Sequence, residues 1–393
     1  MRNSTLDMDL PMKLTKLDFF LTIGFGLTLF LVTGMNRVIA AESPSLENSD
    51  PNRIIQWTRK IYSNGKWNGS PDISYWRGHY YVAINQGALH AGENDPAIVL
   101  RSADLQQWDP IHTTDTNAVD CRLLALPDRL IFYYVYMNRP ADQGPDTRNY
   151  AETRATYTDD GEKWTSSQRI YLPLQNLWQP AIHNGVIYVA SDFFEVSRSD
   201  YVTATEETTP HLCRIDLLRS TDGLKWEKIS TILKGNRHFN VTETSLVFRP
   251  DGELWAITRQ NFFSHSQPPY TSWKNRNAGI IGGGIAGPSV ITIGSDVYVA
   301  GRYYGYLKDH GPADTPQTNK FATSIWKLSS KAEKFQRIAD LPTPSFADLG
   351  YNGFVKTKDG VFILYYSGHE YGETQEARNS KADIFLAKLN LEP

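Results

Sequence analysis

The sequence predicts an all-β protein: a six-bladed β-propeller of four-stranded antiparallel sheets, with the ring closed by the N-terminal strand in the last blade. Three observations carry this expectation. A seven-residue turn unit recurs three times, at the end of strand-like runs. A pair of short strands recurs six times. The first strand-like segment, residues 54–62, has no hairpin partner of its own.

The turn units are Ser102 to Trp108, Thr158 to Trp164 and Ser220 to Trp226. Each has a hydroxyl residue two before an Asp and a Trp four after it. The Asp residues lie 56 and then 62 residues apart, a period that signals a repeat architecture. Asp and Ser or Thr side chains accept bonds from nearby backbone amides and so close a tight turn. Gly161 and Gly223 supply the positive φ such turns need. The Trp is expected to fold back as an apolar plug between sheets. The Asp residues read as turn formers and not as catalysts.

The strand pairs follow in order. They are 72–76 with 80–85, 121–126 with 130–136, and 180–183 with 186–191, then 244–248 with 254–258, 289–293 with 297–301, and 353–357 with 361–366. First strands recur every 44 to 65 residues or so. Residues 382–389 read as the third strand of the sixth blade, and 54–62 as its outer strand. Joining the two ends in one sheet leaves no exposed edge at the seam.

Bulk composition narrows the function classes. The chain has 393 residues, 21 Tyr and 10 Trp, which suits strands and carbohydrate-facing surfaces. A net charge of −3 gives no footprint for nucleic acid. Lys13 and Lys16 precede the apolar run from Phe19 to Val32, and Ala40 and Ala41 follow. Residues 1 to about 41 therefore read as a signal peptide, with 42–393 as a single propeller domain that is secreted or periplasmic. An uncleaved membrane anchor is the alternative. Nothing later in the sequence is long and apolar enough to span a bilayer. Cys121 and Cys213 read as free buried thiols in neighbouring blades.

In a propeller, first-strand starts and second-strand ends share one face near the axis. The long connections lie there too, which marks that face for binding. First-strand starts contribute Asp120 with Arg122, Trp178 with Gln179, Glu243, and Tyr351 with Asp348. Second-strand ends contribute Tyr136, Asp192, Arg259, Arg302, His369 and Glu370. His90, Glu93 and Asp95 sit in the first long loop. His369 and Glu370 have no second His at a ligand spacing, so no metal is expected.

Several of these stretches resemble bacterial sialidase-like (BNR-repeat) propeller proteins, over residues 70 to 390. They are Glu243 to Phe248 followed by Arg259, then Gly287-Pro288, Gly301-Arg302, Gly350 to Gly353, and Tyr366 to Glu370. The turn units resemble the aspartate box of that group. Pro268 to Trp273, in place of a fourth box, is similar to a signature of uncharacterised secreted members. The resemblance implies a glycoside hydrolase without cofactor, acting on an acidic or polar glycan. It implies Tyr351 as nucleophile, Glu243 as its base, Asp95 as acid/base with His90 as runner-up, and Arg259 and Arg302 as carboxylate ligands. Asp120, Trp178, Gln179, Asp192, His369 and Glu370 would line the substrate site. The sequence departs from the sialidase pattern at Ser70-Pro71-Asp72, where the first of three arginines is absent; Arg122 is the expected substitute. A non-hydrolytic glycan-binding propeller and a polysaccharide lyase acting on a uronate remain alternatives.

Overall fold

The structure, a computed structural model, describes residues 53–88, 96–137, 151–194, 213–235, 241–277, 284–303, 321–328, 334–342, 348–372 and 381–391. The expected signal peptide, His90, Glu93 and Asp95 lie outside the described residues. No helix among the described residues is long and apolar enough to cross a membrane.

The fold is the expected six-bladed propeller of antiparallel sheets. Strand β1 (Ile55–Tyr62) comes first. Blade 1 is β2 (Trp67–Trp76), β3 (His79–Gly87), β4 (Pro96–Ser102) and β5 (Asp109–Asn117). Blade 2 is β6 (Val119–Ala125), β7 (Leu130–Met137), β8 (Ala151–Thr158) and β9 (Gln168–Arg169). Blade 3 has its innermost strand in two pieces, β10 (Gln175–Leu177) and β11 (Ala181–His183), followed by β12 (Val186–Phe194), β13 (Cys213–Ser220) and β14 (Glu227–Lys234). The break holds Pro180, which has no amide to give to a ladder.

Blade 4 is β15 (Thr244–Phe248), β16 (Leu254–Thr258), β17 (Phe262–Ser266) and β18 (Lys274–Asn277). Blade 5 is β19 (Ile285–Ile293), β20 (Asp296–Tyr303), β21 (Thr323–Leu328) and β22 (Gln336–Asp340). Blade 6 is β23 (Leu349–Thr357), β24 (Gly360–Ser367) and β25 (Asp383–Leu389), completed by β1, in the order β1-β25-β24-β23. The pairing runs from Ile55 opposite Leu389 to Tyr62 opposite Ile384. Lys60 reinforces it, bonding Glu370 and reaching the fully buried Asp383 at 3.1 Å.

Blades bury both faces of their middle strands against their neighbours, so β24 reads as a nearly continuous apolar run, without alternation. One buried cluster joins the last blade to the first through Tyr80, Val82, Leu100, Trp108, Leu364 and Tyr366. Cys121 and Cys213 are both free and buried.

The three turn units do what their composition implies. Asp104 Oδ1 accepts the amides of Gln106 (2.8 Å) and Gln107 (3.0 Å). Asp160 and Asp222 accept the two corresponding amides at 2.8 Å each. The hydroxyls of Ser102, Thr158 and Ser220 accept the amide three residues on. The amides of Gln107 and Gln106 hold the Asp104 carboxyl below its ordinary range. Trp108, Trp164 and Trp226 each pack into a core cluster between blades.

Leu105 stands at the first turn where the other two have glycine, and it adopts φ +63°. Its side chain joins the core between the last and first blades. At Gly223 (φ +75°) a Cβ would lie 2.7 Å from both Ile131 Cδ1 and the Tyr133 hydroxyl. Gly223→Ala is therefore expected to destabilise the fold by about 1–3 kcal/mol, from overpacking and from the left-handed backbone. Urea unfolding of the purified variant against wild type measures it.

Candidate functional site

The innermost strands carry residues in the left-handed region at or just before their funnel ends, among them Ser70 (φ +39°), Asp120 (+51°), Glu243 (+44°), Gly287 (+57°) and Tyr351 (+32°). In four of them a register shift brackets the residue: Gly69/Asp72, Val119/Arg122, Ala286/Ser289 and Gly350/Asn352. A bulge inserts an unpaired residue and re-aims its side chain away from the strict alternation of the strand. Four non-glycine residues in that conformation are costly, and such strain collects at functional sites.

The consequence is visible at Glu243. Its carboxylate meets groups from blades 4, 5 and 6 at once. The Tyr351 hydroxyl donates to Oε1 at 2.6 Å. The Gly287 amide donates to Oε2 at 2.8 Å. Arg259 Nη1 donates to Oε1 as well. Glu243 and Tyr351 are both buried. A Cβ at Gly287 would lie 2.9 Å from Tyr351 Cγ, so glycine is what lets the blade 5 backbone pass under the ring.

Burial alone would raise the Glu243 carboxyl. Arg259, the Tyr351 hydroxyl, the Gly287 amide and Arg302 outweigh it and hold the group below its ordinary value. The Tyr351 phenol goes the other way. Burial and the Glu243 charge push it well above its ordinary value, against Arg259 and Arg302. Glu243 is thus an anion and Tyr351 a neutral phenol at physiological pH.

Arg302 flanks the pair, its guanidinium carbon 5.6 Å from the Tyr351 ring centre. Its Nε donates to the Leu349 carbonyl (2.6 Å), and its Nη2 to Asp348 Oδ1 (2.9 Å) and the Tyr366 hydroxyl (3.2 Å). Asp348 also accepts the Trp67 indole N–H at 3.1 Å. Burial works against the Arg302 charge, and Asp348, Tyr366 and Tyr351 together more than offset it. Arg259 and Arg302 keep 27% and 19% of their side-chain surface exposed.

Four expected site residues therefore meet: Glu243, Tyr351, Arg259 and Arg302. Asp192 supports them by accepting the Glu243 amide at 3.2 Å. Asp120 is half-buried, takes a bond from Asn176 at 3.2 Å, and its charge is felt at Tyr351. Gln179 instead accepts from Ser245 at 3.3 Å, beside the axis. His369 and Glu370 attach to the seam: His369 packs on Phe385, and Glu370 pairs with Lys60 of β1.

Arg122 and Trp178, expected in the substrate-binding set, are 2% and 1% exposed and packed against each other. Sequence reasoning missed the role of Tyr366 and the Gly287 amide, which a strand pattern does not encode. Gly287-Pro288 was the available signal.

Three kinds of comparison place this geometry. No family model and no curated protein matches the chain. Among solved structures the chain is similar to a Dyadobacter fermentans protein of unknown function, with a TM-score of 0.63 and 16% identity over 85% of this chain and 99% of that one. It is similar to Trypanosoma rangeli sialidase in complex with sialic acid, with a TM-score of 0.58 and 10% identity over 88% of this chain and 56% of that one. The same sialidase as a covalent intermediate with 2,3-difluorosialic acid gives 0.57 and 9%, over 90% and 57%. The chain thus spans a little over half the length of those sialidase chains. At such identities the likeness is one of fold: a sialidase-like propeller.

The depressed Glu243 carboxyl fixes a pH dependence. A carboxyl whose folded pKa lies below its unfolded value adds stability above the unfolded pKa, about 4.3 for Glu, and loses it as pH falls through the folded value. Glu243→Gln is expected to be less stable than wild type at pH 7, with the gap narrowing as the pH drops below about 4.3. Denaturant midpoints across that range read it, and a gap independent of pH would contradict the assignment.

Proposed function

We propose that this protein is an exported glycan-processing propeller that cleaves glycosidic bonds, with Tyr351 as nucleophile and Glu243 as its base. One observation carries the reading: a buried 2.6 Å hydrogen bond from the Tyr351 hydroxyl to Glu243, flanked by two arginines at a funnel mouth. A phenol held to a carboxylate is the arrangement that makes a tyrosine a nucleophile. The sialidase-like fold and the likeness to a sialidase recorded as a covalent intermediate support it. The leader read at residues 1 to about 41 supports a place outside the cytoplasm.

The chemistry follows from the two protonation states. Ordinary phenol and carboxylate pKa values differ by about 6 units, or ~8 kcal/mol, and both shifts here widen that gap. The proton therefore does not move in the resting site. It passes to Glu243 only as the Tyr351 oxygen bonds to the anomeric carbon and the glycosidic C–O bond breaks. The departing oxygen takes a proton from an acid; Asp95, or else His90, is the proposed donor. Water, deprotonated by that same group, then attacks the anomeric carbon, and the released phenolate recovers its proton from Glu243.

Arg259 and Arg302 are proposed to hold an acidic or strongly polar group on the sugar through charge-assisted bonds. A second reading, a glycan-binding propeller without turnover, is favoured by Ser70 at the first-blade position and by the burial of Arg122.

Tyr351→Phe is expected to abolish release of aryl alcohol from a panel of aryl glycosides, and Glu243→Ala to lower it by about 10²–10⁴-fold. Both variants should fold. Full activity in both would end the mechanism. Wild type that binds on a glycan array and releases nothing would establish the second reading, and a product absorbing as an unsaturated uronate would establish a lyase.

A further inference from the structure

The described residues hold a buried charged group that the proposed reaction does not use. Arg122 lies on β6, in blade 2, and its guanidinium carbon sits 3.8 Å from the centre of the Trp178 ring. It donates to the Cys121 carbonyl. The Trp178 ring in turn lies 5.8 Å from the Tyr351 ring, centre to centre, tilted by 59°. The Trp178 indole donates to the Pro288 carbonyl at 3.2 Å, one residue from the amide that holds Glu243.

The Asp72 carboxylate feels the Arg122 charge, accepts the Leu123 amide at 2.8 Å, and is 2% exposed. It also faces Gly353, where any Cβ would collide with it, two residues beyond Tyr351. Blade 1 therefore braces the nucleophile's backbone, and blades 2 and 3 brace its ring. Below this layer the axis opens into a cavity of about 500 Å³ whose lining includes Asp72, Leu123, Gln179 and Phe354.

Burial of the charged Arg122 needs a reason. An apolar residue of similar volume often does as well or better for stability. Neither the funnel mouth nor a substrate reaches a guanidinium that is 2% exposed. Its flat face fits the indole, as an aliphatic chain would not.

We propose that Arg122 and Trp178 are positioning residues: a stacked column that sets the angle at which Tyr351 meets Glu243. This rests on the Tyr351 reading above. A displacement of about 1 Å at a reacting group is enough to lower a rate by about 10²-fold.

The test compares wild type with Arg122→Met, which keeps volume and loses the planar charge, and with Arg122→Lys, which keeps the charge. The probe is the aryl glycoside that wild type turns over fastest. For Arg122→Met, kcat is expected to fall by about 10²-fold with KM within about threefold, and Arg122→Lys to recover part of the loss. In a crystal structure of Arg122→Met, the Tyr351 hydroxyl should stand outside hydrogen-bond reach of Glu243. Unchanged kcat, or an equal loss of kcat and KM in both variants, would overturn the column. If Arg122→Met does not fold, Trp178→Phe carries the same measurements. If wild type turns over nothing, the hydrolase reading fails. The Tyr351–Glu243 separation in the variant crystal then decides the column by itself.

Discussion

Pairing of β1 with β25 is the constraint on which the rest of the structure depends. It joins the first described strand to the last, so six separate sheets become one closed ring. Closure removes the free sheet edge. It also holds blade 6 against blade 1, where Tyr351 and Arg302 meet Asp348 and Trp67. The buried Asp383, which takes the Lys60 charge, sits at this seam.

Once the ring is closed, small backbone departures place the chemistry. Regular strands would send successive side chains into the two inter-blade cores. The bulges at Ser70, Asp120, Gly287 and Tyr351 interrupt that rule, and Glu243 takes the same backbone conformation at the head of β15. The rigid blades on both sides make such strained geometry persist. A polar belt lies directly below: Asp72, Arg122, Trp178, Ser245, Ser289 and Asn352. Most of its members are bonded across blades; Ser245 and Trp178 share the Pro288 carbonyl.

The charges in the funnel are set by one another. Glu243 stays ionised while buried because two arginines, a hydroxyl and an amide outweigh its desolvation. Arg302 stays charged because Asp348, Tyr366 and Tyr351 together outweigh its burial. Each cation is thus partly neutralised by its own carboxylate.

By itself the sequence determined the blade count, the hairpins and the turn units, because each depends on neighbours close in the chain. Strand β15 (Thr244–Phe248) matches its expected limits, and the turn bonds of Asp104, Asp160 and Asp222 follow from spacing alone. Glu243, Tyr351, Arg259 and Arg302 were legible as a set because topology sends strand starts and strand ends to one mouth. Tertiary structure alone decided which candidates face that mouth. Arg122 stands two residues from Asp120, yet one is buried on Trp178 and the other half-exposed at the funnel. His369 and Glu370 reach the correct end of the ring but bond to the seam. A bulge shifts alternation by one residue, and a side chain's partner lies a hundred residues away in another blade. Neither leaves a local pattern to read.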